Sequence, residues 1–416
     1  MTVTIHLHFP FVDQGFPHLL LMYPPVECNI YSPRLNKERG VPEDQPQFLM
    51  NWLLADVQAI KSPTCFCFPA KLEELTVADA ILRYSILHKE IFGSYAYGLP
   101  PRPDAKNMKK IDMTFMHYVT VHRLEALIPI FLLGTSAQGY GLLETMPAFY
   151  GLWWNSPELL DSLVNNQPLT QMWRKGFQNL WQTMADKDEL NIIFDATVTS
   201  VTRSLTDTSK PVTIKATVGR AEETYDCDLL IVTVPFKVFF STVVTDTTPE
   251  EKEYFSALIP ATLLSSLVKT NVQHEEERAT TYYPERLSPS QQGRFYAERN
   301  SNRAIWPDRE QAKDYRFSVA YQYFEDFKEG REAVAKEELT KGMKEAGYQE
   351  VTILNCYNWA YFYKYSRENI KKGYPWKVFE MQGHNRTIYA GSSACFESVE
   401  DVVSYNHLIL QTFGIE

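Results

Sequence analysis

The residues best able to do chemistry lie near the C-terminus. Residues 387–390 (Thr, Ile, Tyr, Ala) read as a short strand, 391–394 (Gly, Ser, Ser, Ala) as a small-residue turn, and 398–413 as a helix. Ser398 stands three residues before Asp401, the spacing of an N-cap pairing, and Glu400 falls in the positively polarised first turn. Such a helix start aims free backbone N–H groups and a partial positive charge at whatever lies in front of it, which suits an electron-rich ligand. Gly391, Ser392 and Ser393 leave room for a ligand to come close to the backbone. An ordinary capped helix after a strand-to-helix turn uses the same residues, so this segment alone leaves both readings open.

The elements that would position this turn are spread along the chain. Beyond Pro168, Trp173, Phe177, Leu180, Trp181 and Met184 recur at helical spacing. Short β-type runs follow at 190–194, 196–205, 212–218 and 223–226. They close on 229–235, apolar on both faces as a strand buried in a parallel sheet requires; such a sheet implies covering helices and an α/β domain. Further on, 264–272, 317–324 and 351–356 read as strands and 333–346 as a helix, with an aromatic stretch at 357–365. Residues 1–45 are Pro-rich and irregular. Residues 45–130 read as mostly helical, with Phe48, Trp52, Leu53 and Val57 and then 75–92 at helical spacing. A Pro-rich connector at 99–103, a further helical stretch through Leu133, a glycine-bearing loop at 134–141 and an aromatic segment at 149–154 complete this part.

Taken in order, residues 190–198, Val201, the run Tyr225, Asp226, Cys227 and Asp228, and residues 230–235 give a strand, a meander and a buried strand. Later come Asn358 and Trp359, Tyr365 and Ser366, Gly373 and Tyr374, then Tyr389, Ala390 and Gly391, and the run from Phe396 to Glu400. This order resembles the flavin-dependent amine oxidase superfamily, which includes monoamine, polyamine and L-amino-acid oxidases and a polyenoic fatty acid isomerase. The similarity covers roughly 130–416 and is best over 172–235 and 355–410. It implies an α/β plus α+β protein. A discontinuous FAD-binding (Rossmann-like) domain would be built from 172–245 and 385–416, and a mixed helical and sheet substrate domain from 46–170 and 246–384.

Carried over residue by residue, the resemblance puts the main chain of Val198 at the adenine and Thr233 to Pro235 beside the dinucleotide. Gly391 and Ser392 would face the ribityl and pyrophosphate region. The backbone N–H of Val399 would face the flavin C2 carbonyl, where negative charge collects on reduction. Trp359 would pack beside the isoalloxazine. Lys269 matches a lysine that holds a water at flavin N5, and a solvent-facing strand lysine explains it equally well. FAD is expected to be non-covalent, since no cysteine stands near Gly373 and Tyr374. The expected chemistry is hydride transfer from a C–N or C–H bond to flavin N5, with reoxidation by O2.

Three departures open other readings. The sequence has no Gly-x-Gly-x-x-Gly loop to cradle a pyrophosphate. Ser392 stands where relatives carry Glu, and Ser398 where amine oxidases place a second caging aromatic. One alternative is a redox-neutral isomerase or desaturase acting on an unsaturated, non-basic substrate. The other is a family member that keeps the fold and has lost strong FAD binding.

Composition narrows the remainder. The 416 residues carry 41 Lys and Arg against 51 Asp and Glu, a net charge of -10 without a basic block, so nucleic acid is not an expected partner. The expected partner is a small-molecule substrate, apolar or aromatic, in keeping with an aromatic content of 13%. The apolar runs are too short to cross a bilayer, and residues 1–10 lack a basic n-region, so neither an integral span nor a cleaved signal peptide is expected. Six scattered cysteines and nine dispersed histidines form no metal spacing, and a cytoplasmic protein with reduced thiols is expected. Oligomeric state is not legible.

Overall fold

A computed structural model describes residues 28–30, 77–95, 98–164, 176–188, 190–207, 209–271, 280–300, 315–328 and 330–414. The expectations for 1–45 (apart from 28–30), for the helix carrying Phe48, Trp52, Leu53 and Val57, and for Trp173 lie outside these residues.

After a short strand, β1 (Cys28–Ile30), a helical layer is built from α1 (Val77–Phe92), α2 (Ala105–Ile111), α3 (Phe115–Val121), α4 (Ile128–Phe131), α5 (Ala148–Trp154) and α6 (Pro157–Val164); α7 (Gly176–Lys187) follows, with Trp181 and Met184 each 45% exposed. The buried stripe of α1, Val77, Ala80, Ile81, Tyr84, His88 and Ile91, has the helical period that turns one face to a core. Side chains open the next two helices. Asp104 accepts from the N–H of Asn107 at 2.7 Å before α2, and Thr114 from that of His117 before α3. α4 runs straight into a π-turn, Leu132–Ser136, which carries the helix three residues into the loop expected at 134–141.

The strands follow: β2 (Ala196–Thr202), β3 (Val212–Val218), β4 (Ala221–Cys227) and β5 (Leu230–Val232), then helices α8 (Phe236–Thr242) and α9 (Pro249–Ser256). Next come β6 (Ile259–Asn271), β7 (Thr280–Tyr282), β8 (Phe295–Asn300), β9 (Tyr315–Phe324), α10 (Glu332–Glu345) and β10 (Thr352–Lys364). The chain continues through α11 (Arg367–Lys371), α12 (Tyr374–Glu380), β11 (Thr387–Tyr389) and α13 (Val399–Phe413).

The described residues form three sheets. The largest has the order β1-β7-β8-β9-β6-β10; β1 and β7 are parallel and the other pairs antiparallel. On one face α10 packs Leu339 and Met343 against Val268, Phe295 and Ala320. On the other, Ala137 and Leu142 from the helical layer meet Ala261, Tyr282, Tyr296 and Tyr321. β2, β3 and β4 form an antiparallel meander, and β5 pairs in parallel with β11 across about 155 residues of chain. That pair joins the middle of the sequence to its C-terminus.

Two strand expectations are corrected. Residues 190–194 form no strand, because Asp195 at φ 52 turns the backbone left-handed just ahead of β2. β5 spans three residues, and it is buried on one face only: Ile231 is 52% exposed. β11 is its one partner among the described residues, and Ile231 stays exposed at the free edge while Ile388 beside it is buried. Among the described residues no helix is long and apolar enough to cross a membrane, and no group of His, Cys, Asp or Glu could hold a metal ion.

Candidate functional site

Three segments distant in sequence meet where β10 ends. The pairing of β10 with β6 is interrupted between Tyr361 and Lys364, and inside that irregularity Phe362 has φ 49. A left-handed phenylalanine carries a steric cost that its surroundings must impose. Here the surroundings are aromatic: the Phe362 ring, fully buried, lies 4.8 Å from Phe396, 5.3 Å from Tyr140 and 5.4 Å from Tyr150 between centroids. Trp154 stacks on Phe396 at 5.3 Å, and Tyr140 stacks on Tyr361 at 6.0 Å. The helical layer thus supplies Tyr140, Tyr150 and Trp154, the large sheet Tyr361 and Phe362, and the C-terminal turn Phe396.

The turn itself follows the sequence reading. Ser398 is the N-cap of α13, its hydroxyl accepting from the Asp401 N–H at 3.0 Å. Asp401, 8% exposed, accepts from the Ser398 hydroxyl at 2.5 Å and from the Trp153 indole N–H of α5 at 3.1 Å. Among the described hydrogen bonds none uses the N–H of Val399 or Glu400, the first two of the helix, and both residues are exposed. Gly391 has φ 79, and a Cβ there would stand 2.7 Å from the Thr233 carbonyl oxygen. The close approach at Gly391 is therefore made by the chain's own β5 exit. Ser393 reinforces that contact by accepting from the Phe236 N–H at 3.4 Å.

Two carboxyls beside this turn hold their protons unusually tightly. Burial pushes Glu397 up to about 7, although the Ser392 hydroxyl and the Phe362 N–H, both directed at it, favour its charge. Burial likewise pushes Asp401 up to about 6, against the bonds from Ser398 and Trp153. Neither forms an ion pair among the described residues. At the end of β10, burial brings the Lys364 ammonium down to about 8.

A second buried carboxyl centre anchors β11 from the other side. Arg203, fully buried, donates from Nη2 to Glu251 at 2.8 Å and from Nε to Asp246 at 3.1 Å, with a further contact from Nη1 to Glu251. Nη1 also reaches the Thr387 hydroxyl at 3.3 Å, and Tyr389 donates to Glu251 at 2.5 Å. Burial opposes ionisation of Glu251, but the bonds from Arg203 and Tyr389 outweigh it and leave its pKa lowered.

The residues expected from the sequence to line the site are only partly brought together. Thr233 is exposed at the end of β5, Pro235 precedes α8, and Gly391, Ser392 and Val399 (48% exposed) lie across from them on the β11 side. Val198 lies in β2, its side chain buried in the meander opposite Ala216. Trp359, 46% exposed, donates to the Ser265 hydroxyl at 2.7 Å. Lys269 is on the same sheet face, with Nζ over the Tyr315 ring at 4.2 Å. Trp359 is in register with Leu263, six positions from Lys269, which separates the two by about 20 Å along the strand. Sequence reasoning missed Glu397, Phe362, Tyr140 and Trp153. A carboxylate just ahead of an N-cap in the apolar run Ala394, Cys395 and Phe396 was the available signal for Glu397.

A family model described as flavin containing amine oxidoreductase matches residues 53–350. A polyenoic fatty acid isomerase from Ptilota filicina is 24% identical over 333 residues, covering 74% of this chain. The chain spans 64% of the length of that curated relative. Among solved structures, a CLA-producing fatty acid isomerase from P. acnes superposes with a TM-score of 0.66 at 21% identity, over 82% of this chain and 74% of that one. Wild-type putrescine oxidase bound to putrescine gives 0.53 at 13% identity, over 84% and 77%. Both structures share the fold of this chain.

Proposed function

The chain belongs to the flavin-containing amine oxidoreductase family, and we propose that it is an FAD-dependent enzyme shifting a hydrogen within an unsaturated, apolar small molecule. The observation carrying this reading is the start of α13, where Val399 and Glu400 are exposed and none of the described hydrogen bonds uses their N–H groups. These donors fit the ring end of a flavin, where reduction gathers negative charge. No Gly-x-Gly-x-x-Gly loop is present for the pyrophosphate, so the reading expects non-covalent FAD held more weakly than such a loop allows.

Bound there, FAD supplies a two-electron hydride acceptor and donor. The chain's own part is positioning. The Val399 N–H would hold the ring at its C2 carbonyl, with Gly391 and Ser392 facing the ribityl and phosphate portion. Thr233, Pro235 and the main chain of Val198 would follow the dinucleotide. Trp359, two residues from Tyr361 on β10, would wall the ring side of the aromatic cluster. Because Lys269 lies about 20 Å away along the strand, a single ring system cannot touch both. The reading takes Trp359, and not Lys269, as the residue bordering the ring.

Of the two outcomes, the reading favours isomerisation of the substrate over an oxidation that consumes O2. Ser398 stands where a second caging ring would enclose an amine, and its hydroxyl is committed to the helix cap. The Ptilota filicina relative and the P. acnes structure are both isomerases. The net reaction moves one hydrogen and a double bond within one molecule and consumes no oxidant. We place this activity in the cytoplasm, with no nucleic-acid partner.

The test is incubation of the purified protein and FAD with a polyunsaturated fatty acid or with putrescine. Conjugated-diene absorbance without O2 uptake supports the isomerase. Hydrogen peroxide formed from putrescine would replace it with the amine oxidase reading. Colourless protein whose melting temperature ignores added FAD overturns both, since a ligand of the native state must stabilise it.

A further inference from the structure

We propose that Asp401 is a positioning residue: with Trp153 it forms a clasp that fixes the first turn of α13, and so the amides of Val399 and Glu400, to the helical layer. The proposal rests on the reading above only where it concerns flavin. Its basis is geometric. One oxygen of Asp401 accepts from the Trp153 indole at 3.1 Å, across 248 residues of chain, and the other from the Ser398 hydroxyl at 2.5 Å. The carboxyl is thereby the meeting point of α5, the N-cap and the first helical turn. Trp153 itself is buried among Phe149, Tyr150 and Phe396, so the indole has little freedom to follow a moving helix.

The clasp responds to protons. The groups facing Asp401 electrostatically are Glu400 on its own helix, Cys395 in the turn and Tyr140 from the helical layer; Glu397 lies beside them, facing Cys395 and Tyr140. Trp153 is neutral, and no cation among the described residues pairs with Asp401. Burial raises its pKa to about 6, above that of a free aspartate. The closed clasp therefore binds its proton more tightly than an opened, solvated one. Closure is fully favoured below the free-aspartate range and weakens as pH rises toward 6, then levels off.

Hydrogen exchange of residues 391–402 in the unliganded protein reads the opening directly. All proteins compared carry Glu397→Gln, which removes the neighbouring carboxyl. The opening constant, corrected for intrinsic exchange, is expected to rise about tenfold between pH 4.5 and 6 with Asp401 present and to stay flat in Asp401→Asn. An equal rise in Asp401→Asn, or a flat profile with Asp401 present, overturns the clasp. Trp153→Phe, which removes one donor, is expected to open the segment at every pH and to weaken FAD binding at least tenfold. Unchanged FAD affinity in Trp153→Phe overturns the positioning role. If Trp153→Phe does not fold, Asp401→Asn is read instead: it keeps the acceptor, so its FAD affinity is expected to lose the pH dependence of the parent, and the same dependence overturns the role. Failure of the parent protein to bind FAD at all overturns the functional reading, and the exchange profile still decides the clasp.

Discussion

Glu251 and Asp401 occupy the same position in two different helices. Each is the third residue after an N-cap, Thr248 before α9 and Ser398 before α13, and each is buried and bonded to its cap. What differs is the partner across the core. Glu251 meets the Arg203 guanidinium and remains ionised; Asp401 meets a neutral indole and holds a proton up to about 6. One local motif thus gives a permanent anchor at α9 and a pH-dependent contact at α13. The lesson is that cap geometry fixes where the carboxyl sits, while the long-range partner fixes its charge.

The sharpest way to break this contrast is to make Glu251 resemble Asp401. Arg203→Met leaves a buried carboxylate without its cation, and a loss of about 3–5 kcal/mol is expected in chemical denaturation. A loss under 1 kcal/mol would show the pair to be dispensable. The next effect lies at the other end. Glu397 has a folded pKa of about 7, so the native chain binds the extra proton and stability falls as pH rises from about 4.5 to 7. Glu397→Gln is expected to remove up to about 3 kcal/mol of that fall, measured as the difference between denaturation midpoints at pH 5 and 7.5.

Gly391→Ala asks whether the C-terminal turn is set by backbone contact. A Cβ 2.7 Å from a carbonyl oxygen at φ 79 is expected to cost about 2 kcal/mol in the melting curve. Smallest are the two caps. Thr248→Ala and Ser398→Ala should each cost about 1 kcal/mol, but only Ser398→Ala should raise the apparent pKa of Asp401, followed by the carboxyl resonance in NMR. Equal pKa responses at the two helices would erase the distinction drawn here.

Much of this was legible in the sequence wherever the signal is local. The spacing of Ser398 and Asp401 announced the start of α13, and β9 lies close to where it was expected, whereas β6 begins five residues earlier and β10 runs on through the aromatic stretch to Lys364. The family resemblance holds: the match over 53–350 takes in the 190–235 motif and ends before the one at 387–400. What stayed hidden depends on distant partners. Nothing near Arg203 signals that Glu251 and Thr387 will enclose it, and nothing in α5 signals that Trp153 will meet Asp401. Phe362 is a residue for which left-handed backbone is ordinarily unfavourable, so its conformation follows from the packed rings and not from its type. The apolar run ending at Pro235 suggested burial on both faces, yet Ile231 shows that composition cannot count the strands beside it.

The Arg203 centre also has a consequence for how the chain is made. Its Thr387 contact lies 184 residues downstream. At a synthesis rate of about 5–20 residues per second, the emerging guanidinium waits roughly 10–40 s before that strand follows it from the ribosome. The meander can fold early, but the seam that closes the molecule is sewn last. Nascent chains stalled before β11 should therefore remain protease-sensitive at 230–256, beyond the meander, and a chaperone that shelters this stretch would act within that interval.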